Sequence, residues 1–435
     1  MLWFLYNLLF TICYLLILPR FLFRMWKRGG YRKDFLQRLG VYSPDVVRRL
    51  GERNRIWVHA VSVGEIYVAL KLIDELRAIQ PEVYFVLSTT TSTGHRIAEN
   101  RINQADVLIY FPSDFPFVVK RVLVKIKPKA LILIEGEIWP NIIRYAKRAG
   151  APVMIMNGRI SKYSYRGYKL LNLFFRKILA DISAFLVQTD EDRLKLVELG
   201  ADDAKITVMG TAKYDVAQFD TEGEAKAREV LRSAGMTMND LIITGGSTWS
   251  GEEDALLSVY KKLKEKFRNL KLVLVPRHAE RSAEVEAEIR RSGLSYVRRT
   301  DLDDRSATGI ISPDVLLVNT TGELKNFYAC ASVIFVGKSL SSHGGQNIIE
   351  PALYAKPIVV GPNMENFKAV VEDFLAARAI IQVKDVLGLE ESFSKLFSDP
   401  AARESYGRRA GSVVNDKRGV ARKSAELVLR IINVD

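Results

Sequence analysis

From Leu2 to Pro19 the chain reads LWFLYNLLFTICYLLILP, eighteen positions in which only Asn7 and Thr11 are clearly polar. As a helix this run is about 27 Å long, close to the thickness of a bilayer core. Beyond about residue 50 the pattern changes to short apolar runs alternating with amphipathic stretches of helical period. Strands are predicted at Arg55–Val61, Val83–Ser88, Val107–Tyr110, Ala130–Ile134, Val153–Met156 and Ala184–Gln188. Continuous β-branched and Leu-rich runs separated by helices indicate parallel strands buried on both faces. After a polar, acid-rich helix near Thr221–Ser233 the alternation restarts, with strands at Leu241–Gly245, Leu272–Pro276, Val315–Val318, Val333–Val336 and Pro357–Val360. The fold class is α/β: two doubly wound domains with a hinge near Gly210–Gln218. The expected organisation is an anchor with its basic flank (1–28), a first domain (29–212), a second (213–400) and a C-terminal helix (401–435) that packs back on the first.

Charge changes this picture more than composition does. The 435 residues are 26% charged and 10% aromatic without repeats, which excludes a disordered or fibrous chain. Two cysteines cannot build a disulfide framework or a Cys-based zinc site, so a reducing compartment is expected. The net charge of +14 calls for an anionic partner: nucleic acid, a membrane or a phosphorylated substrate. Directly after the apolar run stand Arg20, Arg24, Lys27, Arg28, Arg32, Lys33 and Arg38 against the single acid Asp34. This flank is expected to stay cytoplasmic, with Phe21, Phe23 and Trp26 in the headgroup layer. A cleaved signal peptide would need a positive start and a small-residue cleavage site, and the sequence shows neither. From Ile138 to Ala180 there is no acid, while Arg144, Lys147, Arg148, Arg159, Lys162, Arg166, Lys169, Arg176 and Lys177 supply nine cations. Tyr163, Tyr165, Tyr168, Phe174 and Phe175 interleave them. A solvated helix face, a nucleic-acid surface and a membrane-facing helix all fit this stretch, and the adjacent anchor favours the membrane.

In doubly wound sheets ligands bind at the carboxyl ends of strands. The turn after the first strand is Ser62-Val63-Gly64-Glu65, which is both a capping box and a carboxylate available as a general base. The next turn, Ser88 to Gly94, offers the hydroxyls of Thr90, Thr91, Ser92 and Thr93. The turn Glu135-Gly136-Glu137-Ile138-Trp139-Pro140 places two carboxylates at the end of the strand ALILI. In the second domain Gly246-Ser247-Thr248 opens a helix whose free amides would favour phosphate oxygens. Arg277 and His278 stand at one strand end, and Gly337-Lys338-Ser339 at another. Gly344-Gly345-Gln346-Asn347 runs into a helix with Glu350 one turn along, a carboxylate able to accept from ribose hydroxyls. Each piece also has an ordinary turn-and-cap explanation, and their convergence on one domain is what points to a nucleotide.

The ordered set HAVSVGE, TTTSTGH, EGEIWPN, NGRISKYSYRGY, GTAKYD, GGSTWSGEE, VPRH and SSHGGQNIIEPA, behind an N-terminal anchor, resembles the 3-deoxy-D-manno-octulosonic acid (Kdo) transferase family over most of the chain. The resemblance implies a GT-B fold of two Rossmann-like domains facing a cleft and a cytoplasm-facing inner-membrane location. It implies CMP-Kdo as donor, the tetraacyl lipid A precursor as acceptor, and inverting transfer without metal or cofactor. The family's catalytic base maps onto Glu65. Its donor groups map onto Arg277, His278, Gly337, Lys338, Asn347 and Glu350, with Gly246, Ser247, Thr248, Ser339, Gly344, Gly345, Gln346 and Lys213 expected beside them. Acceptor contacts are expected from Ser62, Gly64, Thr90, Thr91, Ser92, Thr93, Glu137, Arg159 and Ser161. Trp249 replaces the family's usual His. Two rival readings stay open: a nucleotide-sugar epimerase of GT-B fold, and a non-catalytic membrane-tethered nucleotide or nucleic-acid binder. The first gives the anchor no use and the second leaves the carboxylates unexplained, so no nucleic-acid partner is expected.

Overall fold

The computed structural model describes residues 1–28, 34–51, 53–237, 239–303 and 312–433, excepting the side chains of 21, 22 and 24–28. Of the basic flank, Arg20 and Arg38 are therefore seen, whereas the side chains of Arg24, Lys27, Arg28, Arg32 and Lys33, with those of Phe21 and Trp26, lie outside the described residues. The chain forms two compact units, Met1–Val216 with Arg418–Asp435, and Ala217–Lys417.

The first unit is built on strands β1 (Arg55–Ala60), β2 (Tyr84–Thr89), β3 (Val107–Tyr110), β4 (Ala130–Ile134), β5 (Val153–Gly158), β6 (Ala184–Val187) and β7 (Ile206–Val208). They lie in the order β3-β2-β1-β4-β5-β6-β7, all parallel. The central strands are buried on both faces, as their unbroken apolar runs require. Trp57 carries this furthest: it is fully buried and its one polar atom, Nε1, donates to Ser88 Oγ at 2.8 Å. The order reverses between β1 and β4, so the turns after these two strands diverge and leave a crevice at their carboxyl ends.

The second unit carries β8 (Leu241–Thr248), β9 (Leu270–Pro276), β10 (Tyr296–Arg298), β11 (Val315–Leu317), β12 (Val333–Val336), β13 (Ile358–Val360) and β14 (Ile380–Gln382). Their order is β10-β11-β9-β8-β12-β13-β14, again parallel, with the reversal between β8 and β12. Three strands absent from the sequence reading, β7, β10 and β14, are three residues each and edge their sheets. A run so short carries no readable period.

The sequence reading ended the first domain at 212 and gave 401–435 to one returning helix. In the structure the units divide at 216/217 and 417/418, and that segment is two helices. Pro400–Asp416 stays with the second unit: a Cβ on its Gly407 would stand 2.0 Å from the Ala355 carbonyl, so only glycine permits the approach. Val420–Asn433 joins the first unit, burying Ala421, Ala425 and Val428 in the core that also contains Ile66, Val68 and Leu72. Asp215 starts this helix, accepting from Gly419 N at 2.6 Å and Ala421 N at 2.7 Å.

The apolar run forms the helix Leu2–Arg28, and its first turns dock on the first unit. Asp114 organises the contact. Its carboxylate accepts from Tyr6 Oη at 2.7 Å and from the amides of Asn141 and Ile142 at 2.9 Å each, while Asn141 Nδ2 also reaches Asn7 Oδ1 at 2.8 Å. Trp3 packs edge-on to Phe174, Phe10 to Phe115, and Arg144 lies over the Trp3 ring at 4.1 Å. The opposite face, with Phe4, Leu8, Leu9, Leu15 and Leu16, is exposed.

Candidate active site

At the reversal of the first sheet Ser62 caps the helix Val63–Ile79, its Oγ accepting from Glu65 N at 3.3 Å. The Glu65 carboxylate folds back, Oε2 accepting from Val61 N at 2.9 Å and Oε1 from Ser62 N at 3.3 Å. The capping box expected from S-x-x-E is formed. Each carboxylate oxygen has a second lone pair, so the capping bonds fix the group without using it up. Burial raises the Glu65 pKa, the Val61 and Ser62 bonds pull it back, and the charge of Glu135 raises it again.

The turn after β4 adds two acids held differently. Glu135 has φ 63°, pairs with Lys213 Nζ at 3.0 Å and accepts from Asn157 Nδ2 at 3.3 Å. Lys213 was expected on the donor; here it is paired with Glu135. Among the described residues Glu137 accepts from Trp139 Nε1 alone, at 2.7 Å. Burial, together with the charges of Glu65 and Glu135, pushes its pKa up to about 7. One turn thus holds a paired carboxylate and a protonatable one within electrostatic reach of Glu65.

The remaining acceptor candidates separate into caps and open groups. Thr91 and Ser161 are N-caps, accepting from Gly94 N at 3.1 Å and Ser164 N at 3.0 Å. Gly64, Ser92 and Thr93 occupy first turns of helices. Thr90 gives its carbonyl to Arg38 at 2.6 Å, and its Oγ1 is buried without a partner. Arg159 is half-buried beside the Glu135–Glu137 turn: a Cβ on Gly136 would lie 3.1 Å from its carbonyl. In the basic stretch Lys162, Arg166, Arg176 and Lys177 are exposed, as are Tyr163, Leu170 and Leu173. Phe174 and Phe175, read as membrane-facing, are core residues. Lys169 meets Tyr165 Oη at 3.1 Å and Glu198 at 3.7 Å.

In the second unit the helix starts later than the Gly246–Thr248 segment. β8 continues through Thr248, and the helix that follows, Glu252–Lys266, begins with the buried acids Glu252 and Glu253. Glu252 accepts from the amides of Trp249 (2.9 Å), Lys338 (2.7 Å), Ser339 (2.8 Å) and Leu340 (2.9 Å). Glu253 pairs with Arg281 at 2.8 Å. The amides after β12 are thus held by the chain's own Glu252, while acids occupy the helix's first turn, whose N-cap Gly251 has no side-chain cap. The Gly344 amide goes to Glu365 and that of Gly345 to the Lys338 carbonyl. Ser339, expected on the donor, is fully buried, and its hydroxyl donates to Val336 O and accepts from Gly361 N.

Several side chains stand at the same strand ends. Arg277 and His278 are exposed after β9. Lys338 Nζ lies 4.6 Å from the Trp249 ring, which stands edge-on to His278 at 5.6 Å. Thr248 Oγ1 and Trp249 Nε1 are buried without partners, a cost of about 1–3 kcal/mol each unless a ligand meets them. Ser247 is buried with φ 54°, and Gly246 is required: a Cβ there would meet Tyr328 Oη at 2.2 Å. Gly337 is equally confined, its Cβ falling 2.5 Å from Ser247 O. Gln346 is half-buried, and Asn347 Nδ2 donates to Glu350 at 3.2 Å. Burial raises the Glu350 pKa, while Asn347, Lys325 and Arg277 lower it. Glu350 is the second residue of a five-residue helix rather than one turn along.

Similarity to known proteins narrows the chemistry. The model of the family described as 3-deoxy-D-manno-octulosonic-acid transferase (kdotransferase) matches residues 33–216. The chain is 33% identical over 386 residues to the 3-deoxy-D-manno-octulosonic acid transferase of Bordetella pertussis, covering 85% of this chain and 86% of that one. It is 29% identical over 418 residues to the protein of the same name from Chlamydophila psittaci, covering 95% and 93%. It spans 56% of the length of a bifunctional glycosyltransferase/methyltransferase of Fusobacterium nucleatum, 29% identical over 374 residues. Among solved structures, the UDP-GlcNAc 2-epimerase of Neisseria meningitidis covers 88% of this chain and all of its own at TM-score 0.60 and 14% identity. A glycosyltransferase from Rickettsia africae covers 88% and 99% at TM-score 0.59 and 14% identity. Identities that low show the fold alone, which is GT-B. Sheet architecture, family model and relatives agree: this chain belongs to the 3-deoxy-D-manno-octulosonic acid transferase family and is a glycosyltransferase.

Proposed function

We propose that the enzyme transfers Kdo from CMP-Kdo to the tetraacyl lipid A precursor, with inversion at the anomeric carbon and Glu65 as general base. The relatives' names supply the sugar, and the sequence resemblance supplies donor and acceptor. The observation that carries the mechanism is the Glu65 carboxylate, fixed by two amides at the sheet reversal with lone pairs to spare. An acceptor hydroxyl gives Glu65 its proton as its oxygen bonds to C2 of Kdo. The bond from C2 to the CMP oxygen breaks, and its electron pair leaves on the phosphate. Arg277 and Lys338 meet that growing charge as side chains. Glu137, half-protonated near neutrality, binds the acceptor as a hydrogen-bond donor or acceptor. Arg159 and the exposed cations Lys162 and Arg166 hold its phosphates.

The docked N-terminal helix supports a cytoplasmic inner-membrane enzyme whose anchor lies in the leaflet. Tyr6 and Asn7 are tied to Asp114 and Asn141, so the first turns cannot cross a bilayer while the unit stays folded beneath them. The outward Phe4, Leu8, Leu15 and Leu16 enter lipid instead. The test is incubation of purified enzyme with CMP-Kdo and lipid A precursor, followed by mass spectrometry. Lipid heavier by whole Kdo residues supports the reading; an unchanged lipid beside an isomerised nucleotide sugar supports the epimerase.

A further inference from the structure

The second unit has a cavity of about 870 Å³ at the amino-terminal edge of its sheet, where β8 and β12 begin, away from the turns that carry Arg277 and Lys338. That volume falls in the range of small-molecule sites. Its floor is apolar, with Leu231, Met236 and Ile242, and its wall carries the cations Arg228, Arg232, Lys356 and Arg403.

The charges of this wall do not balance. Its two acids are committed: Asp240 accepts from the Thr237 amide at 2.6 Å, and Glu404 pairs with Arg408 at 2.7 Å. Arg228 and Arg232 pair with Glu224 and Glu229 at 2.7 and 2.6 Å. Among the described residues Arg403 reaches the Leu396 carbonyl, at 3.4 Å, and neither it nor Lys356 has an ion pair. Burial lowers the Lys356 pKa and the charges of Arg228 and Arg403 add to this, while those of Cys330 and Glu224 oppose it. Cations that repel one another over an apolar floor are stabilised only when an anion sits between them.

We propose that this cavity is a second ligand site, one that takes an organic phosphate: the phosphate on Lys356 and Arg403 beside Arg228, and a flat apolar body over Leu231, Met236 and Ile242. The site does not depend on the transfer reaction. Cys330 lines the same cavity, and the only other cysteine, Cys13, is in the N-terminal helix, so the thiol reports occupancy directly.

The test uses the full chain in detergent, 1-naphthyl phosphate as probe, and saturating CMP to fill the nucleotide site. One probe molecule is expected to bind in the presence of CMP, with affinity falling at least about tenfold in Lys356→Met/Arg403→Met and for 1-naphthol, which lacks the phosphate. In a Cys13→Ser background the probe should slow N-ethylmaleimide labelling of Cys330 several-fold. Displacement by CMP, equal affinity in the double variant, equal binding of naphthol or unchanged labelling of Cys330 each overturns the proposal. Removing two repelling cations is not expected to unfold the unit; if the double variant fails to fold, Lys356→Gln and the labelling assay on the otherwise native wall decide the matter.

Discussion

Glu65, Glu137 and Glu252 show how one residue type is put to three uses by its donors. Glu65 has two amide donors, keeps free lone pairs and is the proposed base. A Gln has one oxygen for the two amides of Val61 and Ser62, so Glu65→Gln keeps one of those bonds, costs about 1–3 kcal/mol at the helix start and removes the basicity. Glu137 has one indole donor and is lifted to about 7. A raised carboxyl stabilises the fold while protonated; the contribution is full below the ordinary 4.5 and lost as pH rises through about 7. Glu137→Gln should therefore be more stable than wild type at pH 8 by about 2 kcal/mol, a few degrees in Tm, and indistinguishable from it near pH 4.5. Thermal denaturation at the two pH values checks this, and equal shifts at both would refute it. Glu252, with four amide donors and no exposure, is structural. Glu252→Gln puts an NH₂ among N–H groups and is expected to cost about 2–4 kcal/mol in chemical denaturation. The S-x-x-E spacing made Glu65 legible in the sequence. The trap around Glu252 was not, because three of its donors lie 86 to 88 residues later in the chain.

Among the elements, the buried central strands were readable because double-sided burial leaves unbroken apolar runs, as in ALILI of β4. Three-residue edge strands were not, nor was the docking of the anchor, since Tyr6 and Asn7 find partners more than a hundred residues away. The aromatics of the basic stretch were not legible: Phe174 turns inward to meet Trp3 and Tyr6, and Leu170, Leu171 and Leu173 are the exposed apolar residues. On the proposed membrane reading Lys162 and Arg166 contribute more than Lys169, which meets Glu198. Neutralising both to Gln should weaken binding to anionic vesicles by about tenfold or more at low salt, at roughly 1 kcal/mol per cation. Sedimentation with vesicles of graded anionic lipid content measures this; unchanged binding would remove the stretch from the membrane surface.

For the whole molecule, the net charge of +14 is concentrated in two places: six of it lies between Arg20 and Arg38 beside the apolar helix and nine in the acid-free stretch of the first unit, so the remaining residues together are close to neutral. The placement of Arg277 and Lys338 just after strands was legible from the apolar runs that precede them. That the chain spends its own glutamates on the amides was not. The central claim is that the first unit's glutamate deprotonates a lipid acceptor for transfer of Kdo. The most direct measurement is the rate at which purified Glu65→Gln converts lipid A precursor and CMP-Kdo to the heavier lipid, by mass spectrometry against wild type. Loss of turnover by about 10²–10⁴-fold, with CMP binding retained and the variant folded, is the predicted result. Near-normal turnover in that folded, CMP-binding variant would contradict it.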